Sequence, residues 1–135
     1  MSNNRGQSGQ ARGSGCHKVP ELGELKQEIA RIYNQVNQEA FEIGVRRLRV
    51  DIVGTKIVVL ADHKRIRGLD YLDRVNRAAS RMADVALLDA FKERMREELE
   101  RQLPWLGVRS ILKDYDPEAE IAGTIIVMDK PLTGE

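Results

Sequence analysis

The chain has little of several things that would announce a function. Cys16 is the single cysteine among 135 residues. One thiol cannot cross-link its own chain, so the fold needs no oxidising compartment. Zinc needs three or four ligands, and Cys16-His17 has no second cysteine and one other histidine, His63, to draw on; no metal site is expected. Phe, Trp and Tyr make up 4% of the residues, which leaves few platforms for stacked bases. No stretch approaches the ~18 consecutive apolar residues of a membrane-spanning helix. The formal net charge is only +1, without the basic excess of a nucleic-acid-binding domain. Neither a P-loop nor a dinucleotide fingerprint occurs, and no cofactor is expected. The acids of "DYDPEAE" (Asp114, Asp116, Glu118, Glu120) lack the glycine and the closing glutamate of a calcium loop and read as a solvated hairpin loop.

What is present is a modest core for one domain. Hydrophobic residues are 41% of the chain, enough for a single hydrophobic core at this length. Residues 1–18 are Gly, Ser, Asn, Gln and three basic side chains with almost nothing apolar; such a segment cannot offset its ordering entropy. We expect a disordered tail over 1–18, a single domain over 19–130 and a short tail over 131–135. The first residues carry no apolar targeting core, so the expected location is cytoplasmic.

A first helix is expected over 21–43. Leu22, Leu25, Ile29, Ile32, Val36, Ala40 and Ile43 form one apolar stripe, and Gly44 suits its end. "LRVDIVGTKIVVLAD" then alternates on both sides of Gly54-Thr55. A two-residue hairpin with glycine first is a type II′ turn, and that register sets Ile52 opposite Ile57, Val50 opposite Val59 and Leu48 opposite Ala61. The other face carries Arg47, Arg49, Asp51 and Lys56 with Val58 and Leu60, a mixed surface that suits partial cover. Residues 69–103 read helical with a change of phase, from Leu72, Val75, Ala79, Met82 and Ala86 to Leu88, Phe91, Met95 and Leu99. We expect a break or bend near Asp84, a residue type suited to capping a helix; a single long helix projecting into a dimer is the rival reading. Exposed ion pairs Arg94–Glu98, Arg96–Glu100 and Glu97–Arg101 are expected at helical spacing. Trp105 beside Pro104 should pack as a lid on the core, with a partner-binding anchor as the alternative. Two further strands follow, from Val108 and from Thr124. "TIIVM" is apolar on both faces, as in a central strand or one covered by a partner. The expected class is therefore α+β: an antiparallel four-stranded sheet built from two β-hairpins with two or three helices, in the order α-β-β-α(α)-β-β.

The candidate site is the segment that leaves the first hairpin. His63, Lys64, Arg65 and Arg67 cluster in "ADHKRIRG", and basic side chains at a strand exit can converge on an acidic partner or a small anion. No nucleophile accompanies the Asp62-His63 pair, so no catalytic residues are assigned.

Several strings resemble a small bacterial family. "QEIARIYNQVNQEAFEIGVRRLRVDIVGTKIVVLADH", "LLDAFKERMREELE", "LGVRSILKDYD" and "GTIIVMD" together look like the MpsC-like domain, the soluble component of a sodium-translocating, membrane-potential-generating system. The likeness spans about residues 25–129. Where that family continues from the second strand into "LTPAE", this chain has "ADHKRIRG", as a divergent branch would. The resemblance implies a non-enzymatic accessory protein, associated with a membrane cation or inorganic-carbon transport system and with a transporter component as a partner; it carries over no catalytic residue. From the residues themselves we expect a homodimer and an unidentified protein partner. The alternative is a small nucleic-acid-binding module using Arg46, Arg47, Arg49, Lys64, Arg65 and Arg67.

Overall fold

The computed structural model describes residues 21–42 and 44–132. The tail expected over 1–18 and the last residues, 133–135, lie outside the described part. The elements are α1 (Leu22–Phe41), β1 (Arg47–Val53), β2 (Lys56–Asp62), α2 (Arg67–Val75), α3 (Arg77–Gln102), a 3-10 turn (Pro104–Leu106), β3 (Val108–Asp116) and β4 (Ile121–Met128). The class is α+β, and the four strands form one antiparallel sheet in the order β1-β2-β4-β3. "TIIVM" is thus in a central strand.

The first hairpin follows its sequence to the residue. Leu48 pairs with Ala61, Val50 with Val59 and Ile52 with Ile57. Gly54 has φ +60°, and Thr55 is not among the positive-φ residues; positive φ at the first turn position alone is the type II′ requirement. The second hairpin turns through residues 117–120. The Asp116 carboxylate accepts from the backbone N–H groups of Glu118 and Ala119, and Glu120 takes the left-handed conformation at φ 58°.

One sheet face receives the helices. α1 buries Leu25, Ile29, Ile32, Tyr33 and Val36; α3 buries Phe91, Met95 and Leu99. They close over Val50, Ile57, Val59, Ala61, Ile111 and Ile126. Each such aliphatic side chain contributes about 1.5–3 kcal/mol. Trp105 packs against this core from the 3-10 turn, as expected. The α1 stripe departs from expectation at its ends: Leu22 and Ala40 are exposed. Tyr33, outside the stripe, is buried because α3 faces it with Phe91 at 5.1 Å between ring centroids. The helix stops at Glu42, which is left-handed at φ 55° and donates to the Gln38 carbonyl; the expected stop was Gly44.

The helical stretch is broken, but at Asn76 and not near Asp84. Asn76 has φ −156° and ψ 85°, ends α2 with its N–H on the Leu72 carbonyl, and starts α3 with its side chain accepting from the Ala79 N–H at 3.1 Å. One residue caps both helices. Asp84 lies inside α3, and its carboxylate pairs with Arg65. The first apolar line did not mark a core face: Val75 and Met82 are exposed. Of the expected ion pairs, Arg94–Glu98 and Arg96–Glu100 form, whereas Arg101 turns to Glu98. Glu98 is buried between α3 and α1, and its bonds from Arg101, Gln102 and Arg94 hold its carboxyl far below the ordinary range. Removing the Asn76 cap with Asn76→Ala should cost about 1 kcal/mol; urea denaturation checks this, and an unchanged midpoint would show that the break needs no side-chain cap.

Candidate functional site

The segment leaving β2 is anchored at several points. His63 N–H donates to the Glu120 carbonyl at 3.2 Å, and the Tyr115 hydroxyl donates to the His63 carbonyl at 3.0 Å. The Arg65 N–H donates to the Glu120 carboxylate at 2.8 Å. The hairpin β3-β4 therefore clamps residues 63–65 onto the sheet.

The four expected site residues do not form one patch. Arg65 turns inward, with 6% of its side chain exposed. Its Nε and Nη2 grip Asp73 at 3.0 and 2.9 Å. Its Nη1 and Nη2 grip Asp84 at 2.6 and 3.0 Å, and Nη2 also donates to the Ser80 hydroxyl at 2.9 Å. Two forked carboxylates leave this guanidinium little capacity for an external anion. Ser80 in turn donates to Asp73. The bonds from Arg65 and then Ser80 hold the Asp73 carboxyl down at about 2, and the carboxylates push the guanidinium up. Arg65 is a bolt between the β2 exit, α2 and α3. His63 is buried as well. Only Lys64 and Arg67 face solvent. The arginines of the nucleic-acid alternative are interleaved with acids: Arg46 lies 3.6 Å from Glu120, Arg47 3.8 Å from Asp62 and Arg49 3.2 Å from Asp51.

Beneath this segment lies a small hollow of about 30 Å³. Phe41, Ile66, Leu69, Leu87 and Leu88 give it apolar walls, and His63, Tyr115 and Lys113 also line it. The His63 ring stacks on Tyr115 at 5.1 Å and on Phe41 at 6.4 Å. Its Nε2 is buried and has no hydrogen-bond partner among the described residues. Burial first, then the charge of Lys113, holds the imidazole below its usual pKa. It is therefore neutral at pH 7.

Lys113 is the residue that sequence reasoning missed. Its ammonium donates to the Tyr33 hydroxyl at 2.6 Å and to Thr124 Oγ1 at 3.1 Å. It sits 4.0 Å from the Phe91 ring centroid and 4.6 Å from that of Tyr33. No carboxylate is paired with it among the described residues. Burial alone lowers its pKa to about 7. Burial also pushes the Tyr33 phenol up to about 12. The signal was in the alternation: Ile111, Lys113 and Tyr115 share the inward parity of β3, and a lysine on that parity faces the core.

The opposite sheet face is uncovered. No helix among the described residues packs on it, and it exposes Leu60 at 49% and Leu112 at 54% beside Val58, Ile125 and Val127. Its rows run straight across the sheet. Arg49, Leu60, Gly123 and Asp114 form one row; Arg47, Asp62, Ile121 and Asp116 form the next. The β1 edge is basic and the β3 edge acidic. Gly123 stands mid-strand, its φ is not positive, and a Cβ there would meet nothing within 4 Å. Backbone geometry and intrachain packing thus give no reason for a glycine.

Among the described residues no helix is long and apolar enough to cross a membrane, and no group of three or more potential metal ligands occurs. Comparison with family models, with curated proteins and with solved structures finds no match to this chain.

Proposed function

We propose that the chain is a non-enzymatic accessory protein that works through protein contacts, and that its uncovered sheet face is the contact surface, occupied first by a second copy of itself. One observation carries this: the face is self-complementary. Two sheets packing face to face align their strands within about 30°. A two-fold axis parallel to the strands, running between β2 and β4, then lays β1 over the partner's β3. Arg49 meets the partner's Asp114, and Arg47 meets the partner's Asp116. Leu60 lies over the partner's Gly123, where the missing side chain leaves a hole. Glycine within a strand weakens it and marks a place where another chain approaches closely. Four strands of about seven residues give a flat area of roughly 450 Å², at the small end of specific interfaces, so a micromolar dimer is expected. The cytoplasmic setting and the association with a cation or inorganic-carbon transport system belong to the same proposal and rest on the resemblance of the quoted strings to the MpsC-like family.

Sedimentation of the full chain from about 1 to 100 µM, a range set by that interface size, should show the 15.3 kDa chain doubling its mass. Gly123→Val should leave the fold intact and weaken the dimer at least tenfold, because the hole is filled. Arg49→Asp and Asp114→Arg should each weaken it, and the two together should restore it, since each dimer then regains both cross-subunit pairs. A dimer that appears only once residues 1–20 are removed would give the face to that segment. A monomer throughout, or a dimer indifferent to all of these changes, would refute the proposal.

A further inference from the structure

We propose that the outer ridge of the α2-α3 corner binds an anionic membrane surface, with Tyr71, Val75, Met82 and Val85 entering the headgroup layer and Arg67, Arg77 and Arg81 meeting lipid phosphates. The corner is partly inverted. Its polar residues Asp73, Ser80 and Asp84 turn inward to Arg65. Tyr71, Val75, Met82 and Val85 are instead 58–74% exposed. A surface helix normally directs its apolar stripe to the core and its polar side chains to water. Val75 and Met82, which share a line at helical spacing in the sequence, serve no core of this chain.

Helical spacing gathers these side chains. On α3, Ala78, Met82 and Val85 recur at i, i+4 and i+7 and share one face, with Arg77 and Arg81 beside them. On α2, Arg67, Tyr71 and Arg74 recur in the same way, and Val75 follows Tyr71 by one helical turn. The Arg74 guanidinium lies 6.0 Å from the centre of the Tyr71 ring. Asn76 joins the two helices, so Val75 and Ala78 bring both stripes to one corner.

The charges indicate the occupant. Arg67, Arg77 and Arg81 have no ion pair among the described residues. The acids of the corner are engaged: Asp70 pairs with Arg74 at 3.7 Å, and Asp73 and Asp84 are held by Arg65. Asp114, Asp116 and Glu118 share a groove with Arg77, Arg81 and Val85, whereas Arg67, Tyr71, Val75 and Met82 lie outside it and lead the approach. A protein partner would need a matching shape, because its hot spots sit in packed pockets. Apolar side chains that stand this far into solvent suit a headgroup layer instead. It admits them without a matching shape, while arginines reach phosphate along flexible stems. Each arginine near an anionic leaflet raises the partition roughly fivefold.

The ridge lies on the helix-bearing side of the sheet, so its test is independent of the dimer face. The full chain is floated with phosphatidylcholine vesicles and with vesicles that also carry about 30% phosphatidylglycerol, the anionic component. The expected result is at least tenfold stronger binding to the anionic vesicles, weakening as salt shortens the Debye length. Arg77→Gln with Arg81→Gln should weaken it on the order of twentyfold. Tyr71→Ser with Met82→Ser should weaken it at least tenfold. All four positions are exposed, so these variants should stay folded, which circular dichroism checks. Arg5→Gln with Arg12→Gln should leave binding unchanged. No binding, equal binding to neutral and anionic vesicles, or binding that follows Arg5 and Arg12 and ignores Arg77 and Arg81 would each overturn the proposal. So would binding indifferent to Tyr71 and Met82 and matched by soluble polyglutamate, which would give the arginines to an acidic protein segment.

Discussion

Lys113→Met should stabilise the fold at pH 7 by about 2–4 kcal/mol, and the gain should shrink as the pH rises toward 10.5. Burial lowers the lysine from an ordinary 10.5 to about 7. Between those two values the unfolded chain carries a proton that the folded chain does not. Stability therefore rises with pH through that window and is lost as pH falls from 10.5 to 7. Methionine has a similar length and no charge, and it removes the penalty. The Tyr33 hydroxyl keeps Thr124 as a hydrogen-bond partner, so no hydroxyl is stranded. The measurement is urea denaturation of both proteins at fixed concentration, at pH 7, 8.5 and 10. A gain that does not vary with pH, or no gain at pH 7, would mean that the ammonium is adequately solvated where it lies. A stabilising loss at this position would support a functional reason for keeping the lysine, since stability alone argues against it.

The opposite sign is expected for Arg65→Ala. It strips the shared cation from Asp73 and Asp84, and from the Ser80 bond between them. Removing the shared cation from this part-buried cluster should cost about 1–3 kcal/mol, the range for leaving hydrogen-bonded groups unmatched. Arg65→Lys should recover less than half of that, because one ammonium cannot fork onto two carboxylates. Acid adds a second signature. Asp73 is held at about 2 against an ordinary 3.8, so its contribution is complete above pH 3.8 and disappears as pH falls toward 2. Wild type should lose stability over that interval more steeply than the alanine variant. Equilibrium unfolding between pH 2 and 7 tests both statements. A cost below 1 kcal/mol for Arg65→Ala would show that the cluster is solvated and that α2 is held by other contacts.

These two residues show why the candidate site was only half legible. "ADHKRIRG" stands out as a basic run, and its side chains look equivalent in the sequence. The structure separates them because α2 and α3 return acids to one position only. Asp73 and Asp84 come from different helices, and the Asn76 break sets the angle that brings both to Arg65. Lys113 was hidden for the opposite reason: in "LKDYD" it looks like one charge among several, and only its parity on β3 betrays it.

The sequence by itself determined part of the local structure, and it did not locate the helix break at Asn76. Alternation around Gly54 dictated the first hairpin and its register, because one turn geometry and one apolar face leave no other pairing. The apolar content of "TIIVM" implied a central strand or one covered by a partner, of which the sheet order shows the first, and helical spacing located most of the α1 core stripe. Only the tertiary structure decided which hairpin strands adjoin, which acids meet Arg65, and which sheet face stays open. Those outcomes depend on contacts between residues far apart in the chain. No local period encodes them, since the same alternation serves equally for a face against helices and for one against a second sheet.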